Sequence, residues 1–555
     1  MIDTETQTQQ LFSSHRLVNY MPLTGSEKKL LPGSRPAGTV DPDQSISVTV
    51  HVRSVAEQEK LDLYFDDLAE QPPSGRDYLS HEKMEEEFGA DKEDMDAVES
   101  FANHFNLLVL ERSPEKQNVV LGGKVRDFTN AFKVDLNLYH HASGDYRGRT
   151  GSVYIPQQLE GIVTGVFGLD NRPKRRSVYR NSPVSSNVPN THNDHGAVPA
   201  GLFTAADLAE RYNFPTDSFN GPLDGNGQTV AIIELGGGFI KSDLIAYFDF
   251  IGLPTPNVVA VSVDQIQNNP TAGSNSPDGE VMLDIEVVGG AAPNARQVIY
   301  FGRNSSKGFF NAISAAVMDK QRKPSVISIS WGGPERDETE QMLNAMGNLF
   351  KKAALLGITI CVASGDHGSI DIDPEDPLFT TNNGALNVDL PSCLAGALAC
   401  GGTRIFENEE VVWNDNDGWA GGGGVSVRVP RPAYQNNTDI PVSPANGFRG
   451  KGVPDVSASA TNYFVRVRGQ FTASGGTSAV APLWAGLIAR LNQAMGKPVG
   501  FINPFLYSNS HLCRDITTGN NDITGSQPPH FAAQVGWDAA TGLGVPDGTA
   551  ILNAM

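Results

Sequence analysis

Four cysteines are all that 555 residues contain, at Cys361, Cys393, Cys400 and Cys513. No two are spaced as CxxC or as a zinc site, which removes thiol-held metal and thioredoxin-like redox chemistry from consideration. They read as small buried hydrophobes, with a Cys393–Cys400 disulfide as the alternative. Positive charge is also short, since 42 Lys and Arg face 63 Asp and Glu for a formal net charge of −21. That balance opposes attraction to nucleic acid or to an anionic membrane surface, so neither is expected as a partner. Apolar runs long enough to span a bilayer are missing. The N-terminal "MIDTETQTQQLFSSHR" lacks the basic-then-apolar order of a secretory signal. Histidine is scarce where a catalytic base would be sought: beyond residue 200 there are only His367, His511 and His530, none in a setting that marks a base.

What is present is a folded, loop-rich composition of 39% hydrophobic residues with 58 Gly and 35 Pro. Length alone suggests three or four domains at about 150 residues each, or two large ones. Residues 1–40 are rich in Ser, Thr and Gln and are expected to be a mobile segment. From "ISVTVHVR" at Ile46, strand-like and helix-like runs alternate through "EKMEEEFGADKEDMDAVESFANHF", "LLVLER", "NVVLGG" and "VRDFTNAF", which makes 41–170 a compact α+β unit. Residues 171–199 then lose all hydrophobic period. They begin with the basic cluster Arg172, Lys174, Arg175, Arg176 and Arg180 and continue Pro/Ser/Asn-rich, which reads as a linker open to cleavage or as a plain flexible tether.

Beyond residue 200 the β-branched runs "QTVAIIEL", "RQVIYFG", "PSVISISWGG" and "GITICVASGD" alternate with helical ones. Such runs suit strands covered on both faces, so 200–555 is expected to be α/β with a doubly wound parallel sheet. Chemistry in such sheets gathers beyond the C-terminal strand ends, and Glu234, Trp331 and Asp366 lie there.

The stretch "SGGTSAVAPLW" places Ser478 at the start of a buried helix, where it needs a base to act as a nucleophile. In "GEVMLDIEV" Glu280 and Asp284 are four apart and share one helical face. Acidic pairs at this spacing usually face solvent, but these two sit among Val281, Met282, Leu283, Ile285, Val287 and Val288. Buried carboxylates are seldom kept without partners. Glu234 and Asp366 each suit a turn or cap on their own; together with Ser478 and the pair they outline a carboxylate-rich site without histidine. The expected base is therefore a carboxylate, Glu280 foremost.

These motifs, "SGGTSAVAP", "GEVMLDIE", "VISISWGG", "VASGDHGS" and "VAIIELGGG", together resemble the sedolisins, the serine-carboxyl peptidases, and among them the kumamolisin-like bacterial members. The resemblance implies a subtilisin-like catalytic domain at 200–555 preceded by a ferredoxin-like α+β prodomain. It implies an acid-active serine endopeptidase made as an autoprocessing zymogen, with catalytic Ser478, Glu280 and Asp284, an oxyanion-hole Asp366, and Glu234 and Trp331 extending the network. It implies Ca²⁺ held by Asp515, the Ile516 carbonyl, the carbonyls of Gln534 and Gly536, and Asp538, where an ordinary polar loop is the alternative. Asp389 in "VDLP" resembles a position that receives a basic substrate side chain, and the run "WAGGGGVSVRV" resembles a cleft edge. Expected partners are protein or peptide substrates and the chain's own prodomain as inhibitor; a monomer and an extracellular location follow from the same resemblance. The competing readings are a pepstatin-sensitive aspartic peptidase, which would need the paired Asp-Thr/Ser-Gly motifs this sequence lacks, and a catalytically silent binding protein on the same fold.

Overall fold

The structure, a computed structural model, describes residues 19–142, 144–173, 197–219, 221–271, 277–373, 385–407 and 409–555, and the main chain of 176–177 and 180–183. The N-terminal domain is built on an antiparallel four-stranded sheet in the order Leu108–Ser113, Asn118–Lys124, Ser45–Val52, Val163–Phe167. With the helices Lys92–His104 and Val125–Phe132 packed on it, this is the βαββαβ arrangement of a ferredoxin-like unit. Its own core joins Val48, Val50, Met95, Val98, Phe101, Leu121 and Phe128. The alternating apolar residues of the central strand supply one face of that core, as period-2 patterning requires.

Residues 19–40 correct the expectation of a loose N-terminal segment. Tyr20–Pro22 pairs with Tyr154–Pro156, and Arg35–Thr39 pairs with Asn137–His140, so both are strands of this domain. Residues 1–18 lie outside the described residues.

The larger domain carries a sheet in the order Val258–Ser262, Arg296–Phe301, Thr229–Glu234, Val326–Ile329, Thr359–Ala363, Ala397–Phe406, Val456–Ser459, all parallel, with Glu409–Val412 added antiparallel. One face packs on the helices Asp278–Ala291 and Thr477–Met495, the other on Ser306–Val317 and Glu340–Leu355. Burial on both faces explains why the central strands read as continuous apolar runs instead of alternating ones. All four cysteines are buried and free, so the Cys393–Cys400 disulfide does not form.

The N-terminal domain docks on the second of these faces. Leu61, Phe65 and Leu68 of the helix Gln58–Glu70, with Met84 and Phe88 of His81–Phe88, join one apolar cluster with Phe309, Leu349 and Phe350. Around that cluster the fully buried Arg76 donates to the carbonyls of Val499 (3.0 Å) and Phe501 (2.6 Å). Lys352 donates to the Phe88 carbonyl at 2.9 Å and to the Gln117 side chain. No helix among the described residues is long and apolar enough to cross a membrane.

Candidate active site

The strand ends deliver most of the site. Glu234 closes the strand Thr229–Glu234, Ser330 and Trp331 follow Ile329, and Asp366 stands three residues beyond Ala363. The helix Asp278–Ala291, buried at every position, brings Glu280 and Asp284 beneath these ends. Against it packs the helix Thr477–Met495, with Ser478 in its first turn. Gly476 enters that helix at φ 123°, a conformation open to glycine and strained for other residues, which is what turns the chain sharply into Ser478.

Glu234, Glu280, Asp284, Asp366 and Ser478 are all fully buried. The indole Nε1 of Trp331 donates to Glu234 Oε2 at 2.9 Å, which fixes Glu234 while its Oε1 stays buried without a hydrogen-bond partner. Burial first, then the Glu280 charge, pushes the Glu234 carboxyl well above its ordinary range. Asp284 is raised likewise by burial and then by Glu234 and Glu280. These carboxyls therefore hold protons that surface carboxyls would lose.

Asp366 has two unlike oxygens. Oδ1 accepts from both the backbone N–H and the hydroxyl of Thr477 at 2.7 Å each, whereas Oδ2 is buried with no partner. Burial raises this carboxyl to about 8 against the opposing pull of the Thr477 bonds. It is therefore protonated at neutral and acidic pH, and with Oδ1 occupied as an acceptor, Oδ2–H is left as a donor. Sequence reasoning missed Thr477 as the anchor of this group, although it directly precedes Ser478. It also missed Ser330, whose hydroxyl meets Asp284.

The neighbouring loops close the site. The glycine run at residues 421–424 is laid on the main chain of residues 364–366: Ala420 N–H donates to the Asp366 carbonyl at 3.0 Å and Gly422 N–H to that of Gly365 at 2.7 Å. A Cβ on Gly422 would lie 2.1 Å from the Ser364 carbonyl, so this stretch is packed backbone and not a flexible loop. His367 stands beside Trp419 with ring centroids 4.9 Å apart, and its Nδ1 meets the Gly418 carbonyl at 3.1 Å. Asp389 begins a two-residue strand paired with Gly333–Pro334, and its carboxylate lies directly over Gly332.

The linker passes along this same edge. Arg176–Ser177 pairs antiparallel with Trp331–Gly332, and Arg180–Pro183 pairs with the strand that leads into Gly476 and Ser478. The expected exposure of its basic cluster fails at Arg172, which is buried, forms a bidentate ion pair with Asp170 and lies over the Tyr146 ring at 4.9 Å. The side chains of Lys174, Arg175, Arg176 and Arg180 lie outside the described residues.

Comparison with known proteins identifies the family. The model of the pro-kumamolisin activation domain matches residues 32–172, and that of the subtilase family matches residues 265–516. Kumamolisin from Bacillus sp. strain MN-32 is 41% identical over 96% of both chains. The chain belongs to the kumamolisin group of the sedolisin family. Sedolisin from Pseudomonas sp. strain 101 is 28% identical over 85% of this chain and 80% of its own. The solved Pseudomonas sedolisin, a serine-carboxyl proteinase complexed with pseudo-iodotyrostatin, superposes with a TM-score of 0.52 at 28% identity, covering 64% of this chain and 98% of that one. By this membership the chain is a serine-carboxyl peptidase, active on peptide bonds at acidic pH, and its N-terminal domain is an activation domain.

The residues expected to hold calcium lie in one C-terminal loop. Asp515 Oδ2 accepts from Gly536 N–H at 2.8 Å, while its Oδ1 is buried without a partner. Asp538 is nearly buried and accepts from the N–H groups of Gln534 (3.2 Å), Ala540 (3.0 Å) and Thr541 (2.8 Å). Among the described residues no three His, Cys, Asp or Glu side chains cluster to hold a metal, but two carboxylates with main-chain carbonyls are a donor set that suits a hard cation.

Proposed function

We propose that Ser478 is the nucleophile, the Glu280–Asp284 pair its base, and protonated Asp366 the oxyanion donor of a self-processing endopeptidase. One observation carries this reading: Asp366 is tied through Oδ1 to Thr477, the residue before the proposed nucleophile, and its Oδ2 is left buried with no partner. In the reaction Ser478 Oγ attacks the scissile carbonyl carbon and its proton passes to Glu280. The carbonyl oxygen becomes an oxyanion held by Asp366 Oδ2–H and by the N–H of Ser478 at the helix N-terminus, where amides have no intrahelical acceptor. Glu280 then protonates the leaving amine as the C–N bond breaks. Water attacks the acyl-enzyme, Glu280 takes its proton, and Ser478 recovers its own as the ester bond breaks. The buried Asp284, Glu234 and Trp331 keep the proton count of Glu280 fixed.

The activation domain is read as an intramolecular inhibitor, and its linker, paired to both sides of the site, as the first peptide processed. Asp389, beside the cleft strand, suits a cationic substrate side chain. Asp515, Ile516, Gln534, Gly536 and Asp538 would hold a calcium ion that ties down the C-terminal loop. A monomeric, extracellular enzyme is the accompanying expectation. The test is to hold the purified full-length chain near pH 4 and map new N-termini by mass spectrometry. Cleavage between residues 172 and 199 in the wild type and none in Ser478→Ala supports the proposal; equal processing of both rejects it.

A further inference from the structure

Ser330 occupies the bend between the strands Val326–Ile329 and Trp331–Pro334 and is fully buried. Its hydroxyl lies 2.9 and 2.8 Å from the two oxygens of Asp284 and 3.1 Å from the main-chain carbonyl of Ser478. In return the Ser478 hydroxyl lies 3.2 Å from the main-chain carbonyl of Ser330. The two serines are thus cross-linked, each hydroxyl against the other's carbonyl, with Asp284 on one side.

A hydroxyl has one proton and donates it to one acceptor at a time. When Asp284 is ionised, Ser330 donates to it and the Ser478 carbonyl goes without that donor. When Asp284 is protonated, its own O–H donates to Ser330 Oγ, and the Ser330 proton turns to the Ser478 carbonyl. No proton changes owner within the serine; only the hydroxyl rotates. We propose that Ser330 is a positioning residue that couples the proton count of the Glu280–Asp284 pair to the backbone of the nucleophile and holds the pair ready to accept the nucleophile's proton. The proposal rests on the reading of Glu280, Asp284 and Ser478 as the catalytic set. The charged groups facing Asp284 are Glu280 on its own helix and Glu234 from the adjacent strand end, with Asp366 beyond Glu280. Both immediate neighbours oppose ionisation of Asp284, and the Ser330 hydroxyl favours it.

Removing that hydroxyl should make the pair hold its proton more tightly. In Ser330→Ala the acidic limb of kcat/KM should move up by about one pH unit, the size expected for loss of one hydrogen bond to a carboxylate. KM should stay near wild type because Ser330 is closed off from solvent. Ser330→Thr, which keeps the hydroxyl, and Ser330→Cys, a weak donor of similar size, should lie between Ala and wild type. The profile is read on a quenched peptide substrate and on the rate at which the precursor processes itself, so a slowly maturing variant still gives a result. A uniform fall in rate with an unmoved limb, or a wild-type profile in Ser330→Ala, overturns the proposal. Ser478→Ala is assayed beside these variants: if it keeps activity the catalytic set itself is wrong, whereas an inactive Ser478→Ala with an unmoved Ser330→Ala limb rejects the Ser330 role alone.

Discussion

The candidate active site and the face where the activation domain docks both bury ionisable groups away from countercharges, but with opposite signs. In the pocket, burial raises Glu234, Asp284 and Asp366. At the docking face, burial lowers His51 to about 4 and Lys352 to about 7. Desolvation disfavours whichever form is charged, so acids are held protonated and bases deprotonated. Falling pH therefore relieves the pocket and burdens the docking face. One physical cost, placed in two regions, gives them opposite responses to pH.

Measuring this contrast requires a precursor that cannot cut itself. Ser478→Ala supplies it and is also the largest expected change, a loss of kcat on the order of 10⁶-fold, the scale for removing a serine nucleophile. Turnover of a peptide at pH 4 is the measurement. Residual activity within tenfold of wild type would mean that the buried carboxyls serve some other chemistry.

Within that inactive precursor, Asp366→Asn tests the pocket. Asp366 is raised from 3.8 to about 8. Its carboxyl costs the folded state nothing below about pH 3.8, where it is protonated folded or unfolded, and the cost grows as pH rises toward 8. By pH 7 it is on the order of 4 kcal/mol. An Asn in its place does not titrate, so the variant should melt higher than its parent at pH 7 and nearly alike at pH 4. In the active enzyme Asn still offers a donor, so its rate loss at acidic pH should be small beside the roughly 10²–10³-fold cost of deleting an oxyanion donor. Because Asp366 stays protonated to about pH 8, an alkaline limb of activity below pH 7 belongs to the Glu280–Asp284 pair and should not move in Asp366→Asn.

The docking face is tested by His51. Its Nδ1 meets Asn118 at 2.8 Å, and its ring lies edge-on to Phe310 of the peptidase domain with centroids 5.4 Å apart. Lys352 opposes its protonation from the peptidase side. With its proton affinity lowered from 6.5 to about 4, His51 costs the folded precursor nothing above pH 6.5 and destabilises it increasingly as pH falls toward 4. The loss amounts to about 3 kcal/mol. His51→Gln in the Ser478→Ala precursor should flatten the acid-side fall in melting temperature between pH 6.5 and 4. An unchanged fall would assign the acid response to other groups.

The two regions also differ in how far the sequence reveals them. Glu280 and Asp284 were legible because helical spacing and apolar neighbours are local information, and Glu234 and Asp366 because they end apolar strand runs. The compact α+β unit and the parallel sheet followed from periodicity in the same way, whereas the ferredoxin-like arrangement of that unit came only with the family resemblance. Ser330 and Thr477 were not legible, since a serine or threonine beside a strand or helix gives no sign of the carboxyl it will meet. The docking face was hidden for a related reason. Lys352 sits in a helix that reads as half-solvated, and its burial depends on Phe88 and Gln117 of another domain. Arg172 misled because a basic run reads as a solvated tether, while its ion pair with Asp170 and its seat over Tyr146 are tertiary.

The smallest expected effect concerns a third region, outside both halves of the contrast. The loop holding Asp515 and Asp538 leaves one carboxylate oxygen, Asp515 Oδ1, buried without a partner, and ties both carboxylates to the segment from Gln534 to Gly536. If calcium binds the folded loop and not the unfolded chain, a hundredfold excess over its dissociation constant stabilises the mature enzyme by about 2.7 kcal/mol. Chelation with EDTA should lower its melting temperature by a corresponding few degrees, and re-added calcium should restore it. Asp538→Asn should abolish both responses. Because neither the Asp366 nor the His51 side chain bonds to Asp515 or Asp538, chelation should shift the melting curves of their variants and parents equally, as independent sites do. A calcium effect that differed between Asp366→Asn and its parent would show that the loop and the pocket are energetically coupled, and the pH contrast would then have to be measured at fixed calcium.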